Sequence, residues 1–338
     1  MTTTQEKPTT ATAHARPTVG ARAGLVVEKY GVVVAWLAVI VFFSAMRPDT
    51  FAQTATIRLV LSTQTVVLVA ALALMLTLAV GELDLSIGSV VGFGGALMAV
   101  LNGVHGIPAV PALLLTVAIC AAFGLLNAIL VVYVGVQSII VTLGSGTFLA
   151  GITLAVSDSQ VVTGISPSVT SFLTTPRLFG VPAPFYLALL LTAVLWFVLQ
   201  HTPLGRRMIF ISENREVARL AGLRVDRVRA GALVATATLG GLAGVVLAGS
   251  NGAANPQSGS YYLLPAFAAV FLGSTTIVPG RFNAWGTFVA VYFLVTGITG
   301  LQYLGQAGWP EQVFYGVSLV AAVTLSHLVA RRRLSKAI

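Results

Sequence analysis

The sequence predicts an all-α, polytopic integral membrane protein with about ten transmembrane helices. Three observations carry that prediction. Of 338 residues, 57% are hydrophobic and only 9% charged, whereas an ordinary soluble domain carries about 25% charged residues. The apolar residues gather into runs long enough to cross a bilayer. The cations cluster between those runs instead of spreading over a face.

Apolar runs fall at about 30–46, 57–80, 84–102, 108–134, 138–156, 184–200, 231–249, 262–278, 283–301 and 312–330, near the 17–25 residues that a helix needs to span. The N-terminal tail holds four of the 19 Lys and Arg, the loop 201–230 seven, and the last eight residues four. Clusters beside apolar spans mark cytoplasmic segments. Ten crossings put all three clusters on one side and bring Arg281 to them, sixteen cations against Arg47, Arg58 and Arg177 opposite. Both termini are therefore expected in the cytoplasm. The surplus charge of +9 is a topology signal and does not argue for nucleic acid.

The domain organisation follows. Residues 1–28 read as a flexible cytoplasmic tail, rich in Thr, Ala and Pro up to residue 23, with no secretory leader. Residues 29–330 form the membrane domain, interrupted by the cytoplasmic loop 201–230, and 331–338 close the chain as a basic tail. Spans 2–5 and 7–10 would run in opposite directions, as in inverted-repeat transporters, although similarity between the halves is too faint to establish a repeat. The 34 glycines suit close helix packing in lipid, and Gly88, Gly92 and Gly95 fall along one face of span three. Cys120 is the single cysteine, which excludes an intramolecular disulfide.

Loop 201–230 carries the pattern of a short amphipathic helix. Ser212 is a candidate N-cap, with Glu213 and Glu216 in or near the first turn. Val217, Leu220 and Ala221 make one apolar stripe, Arg215 and Arg219 flank it, and Gly222 supplies a stop. Asp226 is expected to cap the next span. Such a helix suits docking into a partner's groove, while a solvated basic loop that fixes topology is the plainer reading.

Acidic residues among apolar spans are costly and point to function. Asp84 either caps span three or meets a solute, and Glu82 is expected in water near the membrane edge. Ser86, Asn127, Thr142 and Ser145 are candidates for lining a polar path, although Ser and Thr also bond back to their own helices. Pro265 is expected to begin or kink span eight.

Other chemistries find no support. A P-loop needs Gly-Lys-Ser/Thr, and no lysine of the chain (Lys7, Lys29, Lys336) has that context. The four histidines are isolated, so no metal pair forms, and no catalytic residues or cofactor can be assigned. An ion-coupled secondary transporter of a small polar solute is the main alternative, but it would need charged groups deep in the bundle.

Four segments resemble one family. Glu216-Val217-Ala218-Arg219-Leu220-Ala221-Gly222 is similar to the Glu-Ala-Ala-x-x-x-Gly signature of ABC importer permeases. Gly81-Glu82-Leu83-Asp84-Leu85-Ser86-Ile87-Gly88-Ser89 resembles the Gly-Gly-Ile-Asp-Leu-Ser-x-Gly-Ser segment of the ribose/xylose branch, with Glu82 in place of a Gly. The stretch from Val136 to Gly146 is similar to Pro-x-x-Ile-x-Thr-Leu-Gly-Thr, with Gln137 where Pro is common. Leu263 to Ser274 departs most, because it lacks the acidic residues of many relatives.

The resemblance implies the permease subunit of an ATP-driven importer in a bacterial inner membrane, passing a neutral monosaccharide. It implies that Arg215, Glu216, Ala218, Arg219, Leu220 and Gly222 couple to a cytoplasmic ATPase. An extracytoplasmic sugar-binding protein and a second permease copy complete the implied assembly. Loops 157–183, 250–261 and 302–311 would face the binding protein.

Overall fold

The computed structural model describes residues 19–175, 177–306 and 308–334, with side chains from 29 to 324. The expected tail 1–28 lies outside the described residues up to 18, and α1 begins within it, at Val19. Of the basic C-terminal segment, residues 335–338 lie outside the described residues.

Helices dominate among the described residues. In order they are α1 (Val19–Met46), α2 (Thr54–Thr63), α3 (Thr65–Leu78), α4 (Ile87–Ala99), α5 (Ala109–Ala128), α6 (Ser138–Val156), α7 (Pro167–Thr174), α8 (Ala183–His201), α9 (Pro203–Glu213), α10 (Arg215–Leu220), α11 (Val225–Asn251), α12 (Leu263–Gly273), α13 (Ala284–Tyr303) and α14 (Trp309–Leu334). The strands are β1 (Val162–Thr163) and β2 (Ala253–Ala254), an antiparallel pair with Val162 opposite Ala254. This pair ties two of the connecting loops together.

Among the described residues, seven helices are long and apolar enough to cross a membrane, or up to eight if the bent pair α2–α3 is one span. The chain is thus an all-α polytopic membrane protein. Each of the ten expected runs contains a helix, but not all reach spanning length. The run Ser258–Gly273 is a shorter apolar helix, and α14 extends beyond the described side chains. The α2–α3 pair bends by 41°.

α3 is apolar all round, and every residue from Thr65 to Leu78 is buried, as expected of a helix at the centre of a bundle. α11 packs against α3, α4 and α5, and α12 against α3, α13 and α14. α1 leans on α13, where Trp36 Nε1 donates to Thr296 Oγ1 at 2.9 Å. Glycine allows the closest crossing. The backbones of α4 and α11 meet so closely that a Cβ on Gly94 would strike the Gly241 backbone and one on Gly244 the backbone of Val91, Gly94 and Gly95, while one on Gly241 would strike the Cys120 side chain of α5. Gly88 and Gly92 instead receive Gly259. The expected glycine face is thus a packing face shared by two neighbours.

α4 starts at Ile87, later than the expected span start at 84. Residues 79–86 are non-helical, with Gly81 at φ 76, a left-handed conformation that favours glycine. Pro265 lies in the first turn of α12, where its missing N–H has no helical partner to lose, so it begins the helix.

Candidate functional site

Buried non-helical backbone survives only where its polar groups find partners. The segment 81–86 shows how. Leu83 N donates to Ser138 Oγ at 3.3 Å, and Leu85 N to Thr142 Oγ1 at 3.0 Å. Ser86 N and Oγ donate to Asp84 Oδ1 at 2.9 and 2.6 Å, and Asn127 Nδ2 donates to Ser86 Oγ at 3.3 Å. Asp84, Ser86, Asn127 and Thr142 are all buried. Four of the five candidate path residues thus come together, as a clamp on the backbone between α3 and α4. Ser145, half-buried on α6, stands apart from these bonds and points at Thr142 O at 3.5 Å.

The expectation for Glu82 is corrected. It is 3% exposed, not in water, and its Oε1 lies 2.7 Å from Arg215 Nη2 and 2.7 Å from Arg229 Nη2. Arg215 Nη2 also donates to Gly81 O at 2.8 Å. Burying a charged carboxylate is costly unless it is paired and hydrogen-bonded, as Glu82 is here.

α10 forms in the expected loop, but with a different cap. Asn214 Oδ1 accepts from Glu216 N and Val217 N, both at 3.1 Å. Ser212 lies within α9, and its hydroxyl bonds back to Ile209 O. Asp226 is likewise not a cap but sits in the first turn of α11, 3.2 Å from Arg219 and 3.9 Å from Arg229. Gly222 takes φ 79 with open space around it, the left-handed stop that the sequence indicates.

Ala218 is fully buried against Ile211 and Val225, which holds one face of α10 to the bundle. Val217 and Leu220 point outward, Leu220 at 88% exposure. Glu216 is exposed beside them. The outer face of α10 is therefore a small apolar patch with charged flanks.

Arg229 lies in the second turn of α11 and Asn251 at its far end, about 33 Å away at helical rise. Around that far end the bundle holds cavities. One of about 340 Å³ is lined by Ser62, Thr63, Thr174, Ser250, Asn251 and Tyr262, among others. Another of about 350 Å³ lies between α4, α6 and the turn before α12, with Ser89, Thr153, Gln257, Ser260 and Tyr261. A smaller one of about 50 Å³ shares Leu247 and Asn251 with the first and Gly92 with the second. Among the described residues, no charged side chain lines any of the three.

Sequence reasoning did not select these lining residues. Ser and Gln beside glycine read as ordinary loop, and their convergence comes from three separate elements. A charged cavity of about 430 Å³ lies instead at the α10 end, lined by Glu82, Gln137, Ser138, Arg215 and Arg229.

The fold is a polytopic helical bundle with uncharged polar cavities at one end and a short helix with an exposed apolar face at the other. Comparison with known proteins gives the family. The model for "branched-chain amino acid transport system / permease component" matches residues 56–323, most of the chain, and the protein belongs to this family of ABC importer permeases, in its ribose/xylose-type branch.

The chain is 32% identical over 273 residues to the autoinducer 2 import system permease protein LsrD of Photorhabdus laumondii, covering 78% of this chain and 81% of that one. It is 31% identical over 246 residues to the ribose import permease protein RbsC of Bacillus subtilis, with 72% and 76% covered. The D-allose transport system permease protein AlsC of Escherichia coli is 27% identical over 304 residues, with 90% and 93% covered. No solved structure matches. Members of this family are multi-pass subunits of the bacterial inner membrane. They work with a separate ATPase, which hydrolyses the ATP, and with a binding protein.

Proposed function

We propose that this permease passes a neutral monosaccharide or similar polyol, and that α10 is the coupling helix on which the ATPase acts. The observation that carries the substrate class is the lining of the three cavities at the far end of α11. It offers hydroxyls and amides and no charged group. A zwitterionic amino acid or a sugar phosphate would bring formal charges, which require partners once removed from water. A polyol needs only hydrogen-bond exchange. The names of relatives that import ribose and allose support the same class.

In this reading the cation bias sets α10 and both termini in the cytoplasm and the β1–β2 loops outside, where the binding protein delivers its sugar. Two copies pair, with the path at or near their interface. ATP-driven closure of the nucleotide units moves α10, and the bundle alternates between outward-open and inward-open states. Asp84, Ser86, Asn127 and Thr142 hold the floor of the path by fixing the 81–86 backbone.

Uptake by vesicles containing permease, ATPase and binding protein tests the substrate class. Labelled neutral sugars should accumulate. Uptake of an amino acid or a sugar phosphate, with none of neutral sugars, would overturn it.

A further inference from the structure

The ion pairs at the α10 end reinforce an apolar contact between α10 and α11 and extend it to the 81–86 segment. Glu82 Oε1 is gripped by Arg215 at the first position of α10 and by both Nε and Nη2 of Arg229 on α11, each at 2.7 Å. Arg215 holds Gly81 O as well. Arg229 continues to Asp226, Asp226 to Arg219, and Arg219 to Glu216 at 3.4 Å. Three carboxylates and three guanidiniums thus form one neutral chain. Its outer members are exposed, and exposed pairs contribute little. Glu82 is the buried member, and losing a partner there strands a charge away from water.

Beyond Glu82 the backbone runs without helix to Ile87, pinned by Ser138 and Thr142 of α6. α4 then presents Ser89 and Gly92 to the uncharged cavities. α11 presents Leu247 and Asn251 to the same region. A displacement of α10 therefore reaches the elements that carry both cavity walls, and Glu82 is the buried side chain that joins α10, the 81–86 segment and α11.

We propose that Glu82 is the positioning residue of coupling: it transmits movement of α10 to the 81–86 segment and α11, and so to the walls of the sugar path. This rests on α10 being the coupling helix, and the two claims separate experimentally. Glu82→Gln keeps an acceptor of the same shape but removes the charge that both arginines hold. In reconstituted permease with its ATPase and binding protein, Glu82→Gln should bind the ATPase and hydrolyse ATP as the wild type does. Its uptake per ATP should fall about tenfold, a usual size for coupling between sites. Glu82→Asp, which keeps the charge, should recover part of that loss.

Glu216→Lys, on the exposed face of α10, should instead lose ATPase association. If Glu216→Lys binds the ATPase and transports normally, α10 is not the coupling helix and both claims fall. If Glu216→Lys loses association but Glu82→Gln transports at the wild-type ratio, only the role of Glu82 falls. Should Glu82→Gln fail to insert, Glu82→Gln/Arg229→Gln leaves neither charge stranded, and its uptake per ATP decides in the same way.

Discussion

Gly244→Ala should loosen the bundle where α4 crosses α11. The added methyl would lie 2.2 Å from Val91 O, 2.6 Å from Gly95 N and 2.9 Å from Gly94 C. All three are backbone atoms of α4, so no side chain can rotate aside. Restoring a tolerable 3.0 Å contact requires the helices to part by about 0.8 Å, in an interior packed as densely as a crystal. Overpacking of this kind costs about 1–3 kcal/mol, and a backbone obstacle places it near ~3 kcal/mol.

Gly240→Ala is the matched control on the same helix. Its methyl would meet Ile87 Cδ1 at 2.8 Å and Val90 Cγ1 at 3.0 Å, side-chain atoms and not backbone, so the cost should fall at the lower end of that range, about 1 kcal/mol. Equilibrium unfolding of both variants in detergent micelles measures the difference. Equal destabilisation, or a neutral Gly244→Ala, would refute the crossing geometry on which the path walls depend.

Other outcomes follow from the same structure. Asn283 caps α13 by accepting from Gly286 N at 2.7 Å, and its Nδ2 serves Gly273 O, Thr276 O and Arg281 O, each at 3.1 Å. Asn283→Ala should therefore cost about 2 kcal/mol in the same unfolding assay. Arg207→Cys in a Cys120→Ser background should react with an impermeant thiol reagent only from the cytoplasmic side, and labelling from outside intact cells would reverse the topology. Gln257→Ala should raise the sugar concentration needed for half-maximal uptake, with basal ATP hydrolysis unchanged. An unchanged concentration dependence would remove Gln257 from the path.

The membrane architecture was legible because lipid imposes a simple rule, apolar runs long enough to cross. Gly222 was legible for a local reason, since a left-handed stop favours glycine wherever the chain lies. The capping of α10 was not. Ser212 and Asn214 are both good caps, and α9 runs through Ser212 because Met208 and Ile211 are buried against the bundle.

Glu82 was misread because its partners are remote in sequence. Arg229 lies 147 residues away, and no local pattern announces such a pairing. Asp84 and Ser86 looked like the start of a spanning helix, since hydropathy cannot see that the chain is non-helical until Ile87. Their bonding to backbone follows from that interruption. The cavity residues Ser89, Thr153 and Gln257 are polar singletons on separate elements, and only the packing of α4, α6 and the turn before α12 brings them together.

The central claim is that ATP hydrolysed by a partner drives solute through this chain. Its most direct test is uptake by sealed vesicles that contain the permease, its ATPase and its binding protein, with ATP and a proton gradient supplied separately. The account predicts accumulation of a neutral sugar with ATP alone, abolished when the ATPase is omitted. Accumulation driven by the proton gradient in vesicles lacking the ATPase would contradict it.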